Sequence, residues 1–437
     1  MMESTMLNLP ATPAALAELQ LKRRREAVER ARGSKLLAPR LAAIRSDHIE
    51  EDWHKIPLLT KDELRLLTPE SFKSDFCITS APPVSEWWRS GGVTGKPLFY
   101  GRSAEDLFHA RVSFHRAWPA VGATTNDSVH VSFPLGIHPV GQLTVRAAQR
   151  HGMSALWAGA GNTTPSEMQL ELIQTLKPTI WAGMSSYCLH LANLADARGL
   201  DLAKLSVRKI VVSAEQLTEA KRAKIARTWG AQVYDCLGMT EGGMMMCESA
   251  TSQPAMLAWA DMFHFEVVDD ASGAPVPDGV AGSLVVSALC TNTITPFLRW
   301  KSGDYVTLTR QPHNPADPFS VFPLIRHAHR TSGFFKIRGI NINHTEFEDF
   351  MFNLPEIADF KAELVTVADN EVLRVMMEVR RNADGAAIMN QLAAGVKQRF
   401  EVTPEVVLLT SGTLAKEFES SVKAPRFTDR RAEPGKA

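Results

Sequence analysis

The sequence predicts an α/β fold: a large N-terminal part with a parallel sheet flanked by helices and an antiparallel section, then a small α+β unit at the C-terminal end. Three observations lead there. Between residues 103 and 237, apolar runs of strand length alternate with stretches of helical spacing, the pattern of βαβ crossovers. After Phe263 the runs shorten and turn signals such as Asp270-Ala271-Ser272-Gly273 and Pro277-Asp278-Gly279 separate them, as in antiparallel hairpins. Toward the C-terminal end strand-like and helical patterns mix again, which sets the expected boundary near Gly333, between parts 1–332 and 333–437.

The first element is a helix. Thr12-Pro13 supplies a cap and a proline at the first position, Leu16, Leu19, Ala27, Val28 and Ala31 supply the apolar stripe, and Gly33 ends it. Its basic run, Lys22-Arg23-Arg24-Arg25, reads as a solvated face. In the alternating region helices are predicted over 104–116, 166–176, 185–198 and 219–228, and strands over 129–131, 179–181, 209–212 and 232–234. In the last part 362–367 reads as a strand, Leu373, Val375, Met377 and Val379 alternate, Ile388, Leu392, Val396 and Phe400 recur at helical spacing, and 406–409 adds a strand.

Composition narrows the function classes. Across 437 residues, 48 Lys and Arg balance 48 Asp and Glu, so no global positive field invites nucleic acid. The five cysteines are far apart with no C-x-x-C pair, which fits free thiols in a reducing compartment better than a disulfide framework. Met1-Met2-Glu3-Ser4 opens no signal-peptide pattern, and the sequence holds no run of about 18 apolar residues. The expected location is the cytoplasm, without a membrane partner.

Ser90-Gly91-Gly92-Val93-Thr94-Gly95-Lys96-Pro97 gathers three glycines, two hydroxyls and a lysine, a loop able to bring backbone N–H groups close to phosphate oxygens. It is not a Walker A loop, because Pro97 stands where that motif needs Ser or Thr; taken alone, a plain surface turn is an equal reading. Leu237-Gly238-Met239-Thr240-Glu241-Gly242-Gly243 follows a predicted parallel strand, the place where an open α/β sheet binds ligands, so Thr240 and Glu241 are candidates for Mg²⁺ or phosphate contact, with a helix cap as the rival. Arg299-Trp300-Lys301-Ser302-Gly303-Asp304 sets a carboxylate on a glycine turn, suited either to vicinal ribose hydroxyls or to a surface ion pair. Arg330-Thr331-Ser332-Gly333 lies at the predicted boundary, and Lys423 follows Glu419-Ser420-Ser421-Val422; such a lysine can stabilise an acyl phosphate.

In this order, these segments resemble the signature of the adenylate-forming enzymes, most closely the phenylacetate-CoA ligase branch, from Ile56-Pro57-Leu58-Leu59-Thr60-Lys61 through Lys423 to Asp429-Arg430-Arg431. The resemblance implies ATP, Mg²⁺ and coenzyme A as cofactors and a mobile C-terminal lid. It implies a phosphate loop of Ser90, Gly91, Gly92, Thr94, Gly95 and Lys96, and an adenine and acyl pocket lined by Ser213, Ala214 and Glu215, with Asp235, Leu237, Gly238 and Met239 nearby. It further implies Thr240 beside the Mg²⁺ ligand Glu241, Asp304 on the ribose, Arg330 on the nucleotide and Lys423 as the catalytic lysine of adenylation. The chain departs from the family pattern at Gly91, Val93, Leu237, Ser332 and Val422; the first two remove hydroxyls from the loop and Leu237 removes an aromatic ring from adenine.

Phe133, Pro134, Trp181, Gly183 and Met244-Met245-Met246 suit a flat apolar ring, so a small aromatic carboxylic acid is the expected substrate. The same branch includes adenylating proteins of phenazine antibiotic biosynthesis, which puts a fused-ring acid among the candidates; a homodimer is left open. Three rivals carry weight: a metal hydrolase built on Cys247 and His264 or on His327 and His329, whose spacing fits no compact zinc pattern; a serine hydrolase at Gly183-Met184-Ser185-Ser186-Tyr187, which lacks the second elbow glycine; and a nucleotide-binding homologue with little turnover.

Overall fold

The computed structural model describes residues 9–78, 80–89, 98–328, 334–337, 339–367, 370–414, 416 and 426–431. The expected phosphate-loop residues Ser90, Gly91, Gly92, Thr94, Gly95 and Lys96, together with Arg330 and Lys423, lie outside the described residues. The strands, in chain order, are β1 (Glu86–Arg89), β2 (Phe99–Arg102), β3 (Ser128–Val131), β4 (Ser154–Trp157), β5 (Ile180–Gly183), β6 (Lys209–Ser213), β7 (Gln232–Met239), β8 (Gly243–Glu248) and β9 (Met256–Ala258). They continue with β10 (Phe263–Val268), β11 (Gly282–Ala288), β12 (Trp300–Thr309), β13 (Leu324–His327), β14 (Phe334–Ile337), β15 (Ile340–Asn343), β16 (Ile357–Val367), β17 (Asn370–Val379), β18 (Glu405–Leu408) and β19 (Phe427–Asp429).

The chain divides into two compact units, the first of residues 1–127, 135–155 and 234–329 and the second of 128–134, 156–233 and 330–437. In the first, the strands of a large sheet run in the order β10-β11-β12-β13-β9-β8-β7, every neighbouring pair antiparallel. The antiparallel section therefore begins at β7 and β8, earlier than the turn signals after Phe263 suggest, because the chain reverses within three residues through Gly243 at φ 89°, a left-handed conformation glycine adopts without steric cost. The helix Ala104–Ala120 is fixed by a capping box between Ser103 and Asp106. The helix Pro139–Arg150 was not expected from the sequence; it starts with proline at its first position and buries Leu143, Val145, Ala147 and Ala148.

The N-terminal helix spans Pro13–Ala31, with Thr12 accepting from the Ala15 amide. Its basic face is not simply solvated: the Arg23 guanidinium donates to the Asp261 carbonyl at 2.6 Å, and Arg30 donates to the Leu289 carbonyl. The expected turn from Trp300 to Asp304 is instead the start of β12, and Arg299 immediately precedes it. Arg299 is buried, and its guanidinium meets Glu266 at 3.0 Å and donates to the carbonyls of His54 and Ile56, so it locks the core of this unit.

In the second unit β3, β5 and β6 pair in parallel, and the helices Ser166–Leu176, Ser185–Ala197 and Glu219–Trp229 alternate with strands as the spacing predicts. Trp181 on β5 packs 5.9 Å from Trp229 in its core. The C-terminal portion is an α+β arrangement. Its sheet has the order β18-β17-β16-β19, covered by helices His344–Phe352 and Gly385–Phe400, with Ile388, Leu392, Val396 and Phe400 buried. All five cysteines are free thiols, and among the described residues no helix is long and apolar enough to cross a membrane.

Candidate active site

The hairpin between β7 and β8 carries the densest group of expected residues: Asp235, Leu237, Gly238 and Met239 on β7, then Thr240 and Glu241 in the turn, closed by the Gly242 amide donating to the Met239 carbonyl at 3.1 Å. Gly238 is required by space, since a Cβ there would stand 2.8 Å from the Gly243 carbonyl oxygen. Asp235 is buried, and its amide donates to the Glu248 carboxylate at 2.8 Å.

Glu241 is half-buried, and removal of its carboxyl from water pushes its pKa up; Lys61, Arg102 and a hydroxyl donated by Tyr100 at 3.4 Å pull the other way. The entry segment thus has a place in this site: Thr60 caps the helix Lys61–Arg65 through a capping box with Glu63, and Lys61 faces the acid electrostatically. Three further residues, which no motif singles out, grip the turn. Arg102 Nη2 donates to the carbonyls of Thr240 at 2.7 Å and Glu241 at 2.8 Å, and Asn292 Nδ2 donates to the Glu241 carbonyl at 2.6 Å. Tyr100 itself is clamped by Phe72 and Phe297. No pattern in the sequence marks them, because Arg102 and Asn292 act on main-chain carbonyls far along the chain.

Among the described residues, no group of three or more His, Cys, Asp or Glu side chains could by itself hold a metal ion. Mg²⁺ carried by a nucleotide keeps phosphate and water ligands and needs only one or two protein carboxylates, and Glu241, a single acid in a recess that disfavours its unpaired charge, fits that demand. Cys247 lies in register with Cys236, whereas His264 packs edge-on against Trp53, 5.1 Å between ring centres; these two are not assembled as metal ligands. Asp304 sits half-buried on β12 of the same sheet, its amide donating to the Ser302 hydroxyl at 3.0 Å.

In the second unit, Ser213 ends β6 and Ala214 has φ 71°, a conformation that costs an alanine roughly 1–3 kcal/mol and is characteristic of functional turns. Burial pushes the Glu215 pKa up, but the Lys221 charge and donors from Ser185 and Ser186 outweigh it and hold the acid below the usual range. The Ser186 hydroxyl donates to Glu215 at 2.6 Å and its amide at 2.8 Å, so the serines of the rival hydrolase motif fix Glu215. A cavity of about 240 Å³ opens beside it, lined by Ser186, Glu215, Lys221, His344, Glu348 and Arg426 among others. Phe133 and Trp181 of the second unit and Met244, Met245 and Met246 of the first are all buried.

A family model described as AMP-binding enzyme matches residues 90–291. The phenylacetate-coenzyme A ligase of Pseudomonas putida is 26% identical over 392 residues, 87% of this chain and 85% of that protein. The enzyme of the same name from Thermus thermophilus is 28% identical over 386 residues, 83% and 84% of the two chains. Among solved structures, 2-hydroxyisobutyryl-CoA ligase in the postadenylation state shares the fold with a TM-score of 0.80 at 23% identity, covering 94% of this chain and 89% of that one.

Proposed function

Because the chain belongs to the adenylate-forming enzymes, on the phenylacetate-CoA ligase branch, we propose that it activates a carboxylic acid with ATP and passes the acyl group to coenzyme A. In the first half-reaction a carboxylate oxygen attacks the α-phosphorus, the bond to the bridging α–β oxygen breaks, and pyrophosphate leaves. In the second, the coenzyme A sulfur attacks the acyl carbon and AMP leaves with the bonding electrons. The observation that carries the reading is the Glu241 hairpin, a recessed acid on a turn fixed by Arg102 and Asn292 inside the segment matched by the AMP-binding model.

In this scheme the glycine-rich segment from Ser90 to Lys96 donates to the phosphates, Asp304 accepts from the ribose hydroxyls, and Arg330 contacts the nucleotide. Asp235, Leu237, Gly238, Met239 and Ser213, Ala214 and Glu215 line the adenine and acyl positions, with Thr240 beside the phosphates. Glu241 would hold a Mg²⁺ ion, which when bound screens the polyphosphate charge. Lys423 donates to the α-phosphate oxygens as negative charge builds there, in a C-terminal lid that begins near Gly333. An aromatic ring, single or fused, is the acyl group the apolar residues favour, and five free thiols favour a reducing compartment such as the cytosol.

The test is carboxylate-dependent ATP–pyrophosphate exchange across aryl, fused-ring and short aliphatic acids, with thioester formation measured on adding coenzyme A. Exchange with an aryl acid, abolished by Lys423→Ala, is the expected result. Nucleotide binding without exchange on any acid would leave a turnover-deficient homologue instead, and exchange restricted to aliphatic acids would remove the aromatic assignment.

A further inference from the structure

Arg102 sits at the end of the strand that follows the glycine-rich segment, and it is fully buried. Its guanidinium lies 4.4 Å over the ring of Trp88 on the paired strand, where Trp88 stands opposite Tyr100. One nitrogen bridges the carbonyls of Thr240 and Glu241, and the other donates to the Thr291 carbonyl at 3.2 Å. Asp106 is near in charge but spends its oxygens on the amides of Ser103 and Thr293 at 2.9 and 2.7 Å. A cation in such a place is costly to bury, and desolvation lowers its pKa to about 10, which still leaves it charged at neutral pH.

What the cation accomplishes is geometric. A single nitrogen bonded to two successive carbonyls fixes the two peptide planes that flank the Glu241 Cα, and Asn292 occupies the remaining lone pair of the Glu241 carbonyl. Asn292 is fixed in turn by donating to the Thr295 carbonyl at 3.0 Å, while its own oxygen accepts from the Thr291 hydroxyl at 2.8 Å. With the main chain of residue 241 held on both sides, the direction of its side chain is set before any ligand arrives, and Tyr100 from the same strand as Arg102 reaches the carboxylate itself. Removing a group that orients a metal ligand typically costs about 10–100-fold in metal affinity or activity.

We propose that Arg102 and Asn292 are positioning residues for the adenylation step, clamping the Glu241 main chain so that the strand leaving the glycine-rich segment and the acid that meets the nucleotide's Mg²⁺ move as one piece. The proposal rests on the activation reading above. Neither residue touches the reacting atoms; both act through Glu241.

Arg102→Lys keeps the charge but replaces the planar two-nitrogen fork, which reaches the Thr240 and Glu241 carbonyls from one nitrogen and Thr291 from the other, with a single ammonium, and Asn292→Ala removes one donor without burying a new charge. Two measurements are made on the full chain: the Mg²⁺ concentration for half-maximal ATP–pyrophosphate exchange, and the thermal stabilisation by ATP as a function of Mg²⁺. Both variants are expected to need about tenfold more Mg²⁺ in each measurement, while keeping the wild-type circular dichroism spectrum. Arg310→Met, which breaks an exposed pair with Asp278, should leave the Mg²⁺ dependence unchanged. Half-saturation within about twofold of wild type in folded Asn292→Ala and Arg102→Lys would overturn the clamp. A wild-type protein that exchanges with no acid would strike the activation reading instead, and the thermal measurement would still decide the clamp.

Discussion

Glu241 is held in surroundings that favour its neutral form, although the work proposed for it needs the charge. Withdrawal from water raises its pKa, and the sign for stability follows: an acid whose folded pKa exceeds its unfolded value stabilises the fold at low pH and loses that contribution as pH rises through the folded value. Glu241→Gln is therefore expected to melt above the wild type at pH 8 while losing about 100-fold or more of its exchange activity. Differential scanning calorimetry and the exchange assay, run on one preparation, check both halves. A variant that is less stable at pH 8 would place Glu241 among structural ion pairs.

At the scale of elements, the β7–β8 hairpin depends on an absent side chain. Gly238→Ala would set a methyl 2.8 Å from the Gly243 carbonyl and 3.1 Å from the Met244 Cα, backbone atoms that cannot rotate away, so the expected cost is about 1–3 kcal/mol in urea unfolding. ATP-dependent stabilisation should weaken with it. The helix Glu219–Trp229 in the second unit offers a different test. Lys224 is buried there, its Nζ donating to the carbonyls of Ile357 at 2.6 Å and Ala358 at 2.8 Å, 4.8 Å from the centre of the Phe352 ring. Desolvation lowers its pKa to about 7. Between pH 7 and roughly 10 the unfolded chain binds a proton that the native state does not, so native stability should rise with pH by up to about 1.4 kcal/mol per unit relative to Lys224→Met. Equal pH slopes for the two proteins would mean that the lysine stays protonated in the fold.

For the whole molecule, the simplest expectation concerns the thiols. All five cysteines are free and four are buried, so alkylation should label five thiols in denaturant without reductant and label the native protein slowly. Much of the architecture was legible: the alternation from 103 to 237 contains the βαβ strands and helices observed, because buried parallel strands and amphipathic helices differ in period. The helix Pro139–Arg150 was not, since the glycines and prolines before it read as loop until Pro139 is recognised as a first-turn residue. The Glu241 turn could be named from its glycines and acid. Its clamp could not, because Arg102 and Asn292 act on backbone carbonyls 139 and 51 residues away, and contacts to a carbonyl leave no pattern in the side chains they serve.

The discontinuity of the two units has a consequence for how the chain is made. The first unit needs residues 1–127, 135–155 and 234–329, so during translation its residues up to 127 must wait for strands that end about 200 residues later, with synthesis running at roughly 5–20 residues per second. Through that interval the apolar faces of the helices Pro13–Ala31 and Ala104–Ala120 have no sheet to cover them. A nascent chain arrested before β10 should be recognised by holding chaperones and cleaved readily by protease, and release past residue 329 should end both.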